Sequence, residues 1–499
     1  MESEEPLLLL LVPDNDDARE EKDSTKKWEA FVRELNMVSY IAMPMVVVSV
    51  SQYMLRAVSL MMLGHLGELA LSGASIATSL SNVTGFSLLT GMASALETLC
   101  GQAYGARQYE KVGILTYGSI IWLCLACLPV SLLWIYTENI LILLGQDPLI
   151  SAEAGNFSIW LIPSLFPYAI LQSLVRYLQI QSLIFPMLVS SLASLCIHVP
   201  LSWVFIFKLN LGNAGAALAI GFSYWSNVIM LVLYVKYSST CKKTRAKFSR
   251  DLFLTMGIFF QYAIPSAVMI CLEWWTYEII ILLGGLLPNP GLETSVLSIC
   301  LTITTMHFLV PYSFGAAAST RISNELGAGK PQSARVVLSA VMFLAMVELV
   351  IAVTVIFFCR NILGYSFSNE KNVAYYVKEM TPFLCLSIGM DCIVAALSGV
   401  VRGGGWQRMG AYVNLGAYYI VGIPIALVLG FVLHLKGEGL WAGLVAGGTV
   451  QAILLGFITS RTNWEEQVQI FRQLFGFDYC NKSSYTKYIY FKKNMYISG

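Results

Sequence analysis

Long apolar runs separated by short polar breaks repeat along most of this 499-residue chain. A hydrocarbon core about 30 Å thick needs roughly 20 apolar residues per helical crossing. Strands of a membrane barrel have roughly 10 residues of alternating polarity, so these longer runs indicate helices. The pattern predicts twelve spans, at about 38–63, 72–98, 112–136, 155–178, 184–207, 212–236, 254–287, 294–320, 334–359, 376–401, 409–433 and 438–460.

The composition supports this interpretation, because 57% of residues are hydrophobic and only 12% are charged. Soluble domains carry roughly 25% charged residues. A net charge of +1 without a large basic domain argues against nucleic acid as a partner. Cys124 and Cys127 lie mid-helix without a second pair, so we predict helix packing there and no metal site or cofactor. The apolar run 7–12 is too short for a span or a signal peptide.

Lysine and arginine in the connections predict the orientation in the membrane. If the N-terminus is cytoplasmic, thirteen of these residues lie in inner connections and five in outer ones. Inner loops are enriched in positive charge, so both termini are expected in the cytoplasm. The densest basic cluster, 240–250, falls at the middle of the chain and is the natural linker between two halves.

The two halves carry an internal repeat. GMASALETLCGQAYGARQYEKV from Gly91 and GAAASTRISNELGAGKPQSARV from Gly315 align at a shift of 224 residues, which also brings Gly105 onto Gly329. Six helices per half is an even number, so both halves enter the membrane from the same side. Parallel repeats of this kind are typical of transporters.

We therefore predict two pseudo-symmetric six-helix lobes around a central cleft. The predicted organisation is a cytoplasmic tail at 1–34, an N-lobe at 35–237, a basic linker at 238–252, a C-lobe at 253–462 and a cytoplasmic tail at 463–499.

Several motifs carry a resemblance to a known family. These are VSLMMLGHLGELALSGAS (58–75), SALETLCGQAYGARQYEKVG (94–113), CLEWWTYE (271–278), RISNELGAGKPQSAR (321–335) and GVVRGGGWQ (399–407). In order and spacing the chain resembles the plant branch of the multidrug and toxic compound extrusion (MATE) transporters over roughly 35–462. The resemblance implies a twelve-helix, two-lobe fold and export of organic substrates against inward proton or sodium flux. The Tyr- and Lys-rich end of the chain departs from the family pattern.

Ionisable residues inside spans are the candidates for coupling chemistry, because charge is expensive there. Glu273 and Asp391 lack a lysine or arginine at pairing distance within their own helices. Desolvation penalises the charged form, so each carboxylate is expected to be protonated much of the time and to bind either a proton or a cation. The resemblance implies the same pair as the second-lobe cation site. Glu278 lies about 140° around the helix from Glu273 and ranks third.

Other residues in the spans have weaker functional interpretations. Trp274, Tyr277 and Tyr312 are substrate-cleft candidates through stacking or cation–π contact, with packing an equal alternative. Pro44 and Pro265 each free a backbone carbonyl and permit a bend, which the resemblance links to gating.

Among the remaining ionisable residues, Arg56 is expected to snorkel to the interface. Glu97 is as readily a solvated or loop-bracing carboxylate as an ion ligand. A packing role is favoured over proton relay for His198 and His307, and Glu348 is as readily structural as functional.

The preferred function is a monomeric, proton-coupled antiporter that exports organic cations, xenobiotics or plant metabolites from the cytosol. The alternatives are a sodium-coupled exporter and a lipid-linked substrate flippase, which would need a basic cleft. A channel suits a two-lobe chain less well, and the absence of catalytic motifs argues against an enzyme. An ExxxLL pattern formed by Glu4, Leu8 and Leu9 favours the vacuolar membrane, with the plasma membrane about as well supported.

Overall fold

The computed structural model describes residues 16–246 and 251–474, and over these residues it contains helices and no strands. Twelve helices are long and apolar enough to cross a membrane, which confirms the predicted number of spans. They are α1 (Asp16–Gly64), α2 (Glu68–Gly105), α3 (Tyr109–Ile135), α4 (Pro148–Ile180), α5 (Ile184–Lys208), α6 (Gly212–Tyr237), α7 (Met256–Gly284), α8 (Pro290–Gly327), α9 (Pro331–Ser366), α10 (Lys371–Gly404), α11 (Gln407–Val432) and α12 (Lys436–Arg461).

Several helices begin or end at residues suited to the position. The Asp147 side chain accepts hydrogen bonds from the backbone of Leu149 and Ile150, and Pro148 opens α4 where its missing N–H costs nothing. Gly405 caps α10 in the left-handed conformation that glycine adopts readily. These polar and conformational signals set helix ends that the apolar runs alone leave uncertain by a few residues.

Three spans contain π-helical turns. One lies in α2 (Asn82–Phe86), one closes α5 (Val204–Lys208), and two lie in α11 (Leu415–Gly422 and Val428–Val432). Outside the spans are short helices at Thr137–Leu143, Thr240–Lys243 and Asp251–Leu254, and a final helix at Trp464–Leu474. The π-turn of α2 faces the centre of the molecule and becomes important below.

Helix packing repeats with a period of six helices. In the first half α4 packs on α2, α3 and α6, and α5 packs on α1 and α6. In the second half α10 packs on α8, α9 and α12, and α11 packs on α7 and α12. The same pairs recur with each number raised by six, which confirms the prediction of two pseudo-symmetric sets of six helices.

The halves meet closely at one end of the bundle, which we call the inner end because α1 begins there and α12 ends there. A Cβ added to Gly105 would strike the backbone carbonyl of Asn324, and one added to Gly327 would strike that of Gln102. The Asn324 amide also donates to the Ile180 carbonyl at 3.0 Å. Close backbone contact between α2 and α8, together with this hydrogen bond to the end of α4, therefore closes the space between the halves at the inner end.

Some predicted boundaries differ from the helices. The first helix begins at Asp16, because the charged residues before the first apolar run continue the same helix. Glu34 is buried there and forms an ion pair with Arg321 at 2.9 Å. Pro44 and Pro265 lie within helices that continue on both sides. The ExxxLL pattern and the chain beyond residue 474 lie outside the described residues.

Replacing Gly105 with valine tests the inner contact. The added side chain has only backbone to displace, and overpacking of this kind costs about 1–3 kcal/mol. We expect Gly105→Val to lower the melting temperature of the purified protein. Gly257→Val is the matched control, because a Cβ at Gly257 meets open space. Equal melting temperatures for the two variants would contradict the close contact.

Candidate functional site

A cleft of about 340 Å³ lies between the two halves, on the outer side of the inner contact. Six helices line it: α1, α2 and α4 from the first half, and their counterparts α7, α8 and α10 from the second. This volume falls within the range of about 300–1,000 Å³ that is usual for small-molecule sites. The six-helix repeat therefore supplies one cleft with two structurally related walls.

Glu273 and Asp391 share a small pocket in the second-half wall. The pocket has a volume of about 20 Å³ and is also lined by Trp274, Tyr277 and Thr304. That is room for one water molecule or a small ion. The Tyr277 hydroxyl donates to Oδ1 of Asp391 at 3.2 Å. Glu273, Trp274 and Tyr277 line both the pocket and the cleft, so the pocket communicates with the larger space.

A chain of neutral hydrogen bonds supports this pocket from behind. The Tyr418 hydroxyl donates to Gln451, the Gln451 amide donates to Asn414, and the Asn414 amide donates to the Met269 carbonyl, each at 2.7 Å. The Gln451 side chain also interacts with Glu273. These residues fix α7, α11 and α12 around the carboxylates. Because they carry no charge, the sequence marked them only as polar residues inside apolar runs and did not indicate that they surround the carboxylates.

Glu278 lies in the cleft but away from the two-carboxylate pocket. The Ser79 hydroxyl of α2 donates to its Oε2 at 2.6 Å. The neighbouring Trp275 indole donates to the carbonyl of Val83 at 3.0 Å. The structure therefore groups Glu273 with Asp391 and places Glu278 against the first half. Glu273 and Glu278 point in different directions because they lie about 140° apart around α7.

A further ionisable cluster stands behind Asp391. Nε2 of His307 lies 2.6 Å from Oε1 of Glu348, and the Cys392 thiol donates to Oε2 of Glu348 at 2.6 Å. Their three potential ligand atoms lie within 4.8 Å of one another, so the cluster has the donor types for a metal ion. Hydrogen bonds to both carboxylate oxygens account for this proximity and tie α8, α9 and α10 together.

The inner floor of the cleft is a buried ion triad. Glu97 is about 1% exposed, and its two carboxylate oxygens lie 3.0 Å from Nε of Arg176 and 2.9 Å from Nε of Arg402. Nη2 of Arg176 donates to the Tyr312 hydroxyl at 2.8 Å. A solvated role for Glu97 is therefore wrong, because its partners come from distant helices and enclose it. Arg176 belongs to the first half and Arg402 to the second, so the triad joins the halves.

The prediction that Arg56 snorkels to the interface is also wrong. Its guanidinium lines the cleft, donates to the Asn82 side-chain oxygen, and lies 5.4 Å from the centre of the Phe86 ring. Trp274, Tyr277 and Tyr312, the three predicted cleft aromatics, also line the cleft. Pro44 and Pro265 do not line it. The position of Arg56 along its helix did not show that its side chain faces the cleft.

Comparisons with known proteins agree with this architecture. A family model described as MatE matches residues 44–204 and 265–428, one segment in each half. Protein DETOXIFICATION 14 of Arabidopsis thaliana is 52% identical over 471 residues, covering 94% of this chain and 97% of the relative. Protein DETOXIFICATION 8 of the same plant is 52% identical over 434 residues, with coverages of 87% and 90%.

Solved structures give the same result. The crystal structure of the eukaryotic MATE transporter AtDTX14 matches with a TM-score of 0.87 and 54% identity, covering 89% of this chain and 99% of that one. The Vibrio cholerae MATE transporter VcmN in the bent form matches with a TM-score of 0.76 over 89% and 99% of the two chains. Its identity is 14%, so this second likeness speaks for the fold alone.

Removing the carboxylate of the triad tests its importance. Glu97→Gln leaves two buried guanidiniums facing each other, and breaking a buried ion pair costs about 3–5 kcal/mol. We expect a large fall in the melting temperature, partly reversed in the double variant Glu97→Gln, Arg402→Gln. Glu110→Gln, at an exposed position on α3, is the control. A Glu97→Gln protein that melts with the control would show that the triad does not hold the halves together.

Proposed function

The chain belongs to the MatE family of secondary active efflux transporters, and on this premise we propose that it exports small organic molecules in exchange for protons at Glu273 and Asp391. The observation that carries the proposal is the shared pocket of these two carboxylates, which communicates with the central cleft.

Two carboxylates in one small pocket favour binding of a single positive charge. Burial and mutual repulsion both disfavour full ionisation, so a proton or a cation is needed to balance the pocket. A proton that binds there removes the negative charge that would attract an organic cation in the cleft. Competition between the two for the same charge is sufficient for exchange, and one proton for one monovalent cation would be electroneutral.

The aromatic residues around the pocket supply a surface for the organic part of the substrate. Trp274 and Tyr277 line both spaces, and Tyr312 lines the cleft nearer its floor. Phe308 lies between them, 6.1 Å from Trp274 and 6.0 Å from Tyr312 between ring centres. Rings arranged in this way suit a flat or cationic organic molecule.

The closed inner contact supports alternating access. Substrate in the cleft has backbone contact and the buried ion triad between it and the inner end. For transport the halves must separate at the inner end and close at the outer end. Bending of α1 at Pro44 or of α7 at Pro265 is the proposed means, because each proline leaves one carbonyl of its helix without an N–H partner.

Sodium is the second candidate for the coupling ion. The pocket contains the hydroxyl-bearing Thr304 and Thr305 in addition to its two carboxylates, so several oxygen ligands are near. A lipid-linked substrate flippase is less well supported. Arginines do line the cleft, but Arg176 and Arg402 share the Glu97 carboxylate, which leaves the triad with one net positive charge. The second-half wall adds the carboxylates of Glu273 and Glu278, so the cleft is not predominantly basic.

The protein is a multi-pass membrane protein, and we propose that both termini face the cytosol. The basic segment 240–250 lies on the inner side in this orientation. The proposed lobes are 35–237 and 253–462, joined by 238–252, with cytoplasmic tails at 1–34 and 463–499. We further propose that one chain transports by itself in the vacuolar or plasma membrane, because the cleft is lined within a single chain.

Neutralising the pocket tests the coupling. Glu273→Gln and Asp391→Asn should each reduce exchange of a fluorescent organic cation, driven by a pH gradient in vesicles, by about tenfold or more. The reason is that neither side chain can then alternate between charged and neutral forms. Glu110→Gln is the control, because that carboxylate is exposed on α3. Undiminished exchange in both pocket variants would exclude this site, and exchange driven only by a sodium gradient would identify the other ion.

Labelling of introduced cysteines tests the orientation. Lys208 lies exposed at the end of α5, and Lys242 lies exposed between the halves. In sealed vesicles of cytosolic-side-in orientation, a membrane-impermeant maleimide should label Lys208→Cys and leave Lys242→Cys unlabelled until detergent is added. The unsubstituted chain measures the background from native thiols. The reverse pattern would place both termini on the other side.

A further inference from the structure

Arg56 is a cation in the cleft that lacks an acidic partner. No carboxylate oxygen of a described residue lies within 4 Å of its guanidinium. Its contacts are neutral: the Asn82 side-chain oxygen and the face of Phe86. An arginine inside a span carries a cost of about 2.5–3.5 kcal/mol on insertion scales, which makes it a candidate for function.

A π-helical turn of α2 lies against this arginine. Both of its contacts come from the π-turn Asn82–Phe86, where the helix takes one extra residue per turn. Such turns are rare and occur often at functional sites. The Asn82 side-chain oxygen accepts a hydrogen bond from one guanidinium nitrogen, and the Phe86 ring lies against the guanidinium. The position of the head group is thereby fixed while other N–H groups remain to bind a ligand.

The other two cleft arginines differ from Arg56 in this respect. Arg176 and Arg402 each place Nε about 3 Å from the same carboxylate, and Arg176 also donates to Tyr312. Both arginines therefore pair with Glu97 where the two halves meet. Arg56 is therefore the one arginine among the described cleft residues that has no carboxylate oxygen within 4 Å.

Glu278, a carboxylate of the opposite wall, is held by a residue of α2 that lies about one helical turn from Asn82. Ser79, which holds Glu278, precedes Asn82 by three residues on α2. Residues three apart lie on the same side of a helix. The cleft therefore presents a positive group and a carboxylate that are each held by α2, and Glu273 lines the same second-half wall as Glu278.

We propose that Arg56 forms an anion subsite that binds a carboxylate of the transported molecule. This inference rests on the proposed export function and assigns a residue to one part of the substrate. Arg56 takes the carboxylate of a zwitterion whose cationic, ring-bearing body lies against the rest of the cleft. The guanidinium takes the carboxylate through two parallel hydrogen bonds, and the acidic wall takes the cationic part. Asn82 and Phe86 position the guanidinium and do not themselves bind the anion.

Equilibrium binding of two related dyes to the purified transporter tests the subsite. Rhodamine 110 carries a free carboxylate, and rhodamine 123 is its methyl ester and carries only the positive charge. Fluorescence anisotropy measures both affinities without a pH gradient. Loss of a charged hydrogen-bonding partner should weaken the acid dye by about tenfold or more in Arg56→Gln. The ester should bind to Arg56→Gln as tightly as to wild type, or more tightly, which also reports on folding.

Two further variants and a control sharpen the result. Arg56→Lys keeps the charge but cannot form two parallel hydrogen bonds, so its affinity for the acid dye should fall between those of wild type and Arg56→Gln. Asn82→Asp places a competing carboxylate beside Arg56 and should weaken the acid dye without removing the arginine. Arg461→Gln makes the same chemical change at an exposed position and should alter neither affinity.

The outcomes separate this proposal from the transport proposal. Equal weakening of both dyes in Arg56→Gln, unchanged affinity for both, or no binding of the acid dye to wild type would overturn the anion subsite. Dye binding needs no coupling ion. If wild type binds the two dyes as predicted but shows no pH-driven exchange, the proton coupling is refuted and the anion subsite is not. If pH-driven exchange is intact but Arg56→Gln does not weaken the acid dye selectively, the anion subsite is refuted and the proton coupling is not.

Discussion

Glu97 lies about 1% exposed between Arg176 and Arg402, and the cost of burying charge explains why this contact matters to the whole molecule. A charge left unpaired inside a membrane protein is expensive, and these three groups offset one another only when helices from both halves meet. The same contact closes the inner end and leaves the cleft on its outer side. Opening the inner end requires the triad to separate or to hydrate, so the ion triad is a natural element of the barrier between two conformations.

Because burying charge in a membrane protein is costly, part of the site could be predicted from the sequence. The twelve spans follow from the length of the apolar runs, and Glu273 and Asp391 stand out because they are ionisable residues inside such runs. Their companions Asn414, Tyr418 and Gln451 are neutral and carry no comparable signal, although they hold the pocket in place. A single sequence marks the charges, but it does not show which neutral groups surround them.

Partners across the fold were beyond prediction for a different reason. Arg402 is 305 residues from Glu97, and no local pattern connects them. Arg56 was misplaced because its distance from the helix end says how deep it lies, whereas the direction around the helix decides whether it faces lipid or cleft. That direction depends on how α1 packs against the second half.

The two halves share the same helix packing but place different charged residues in the cleft. The helices pair alike in both halves, yet the first-half wall presents Arg56 while the second-half wall presents Glu273, Glu278 and the pocket of Asp391. Opposite charges on two similar walls suit exchange of a proton for a molecule that carries charge of its own. In the proposed mechanism, movement of the halves changes which side of the membrane reaches these groups.

Proton release on substrate binding tests the central claim most directly. Purified transporter in weakly buffered detergent solution, with a pH-sensitive dye, is mixed with a saturating organic cation in the absence of any gradient. The account predicts that wild type releases protons as the cation binds and that Asp391→Asn binds the cation with little or no release. Binding of the cation to wild type without proton release would contradict competition at the two-carboxylate pocket.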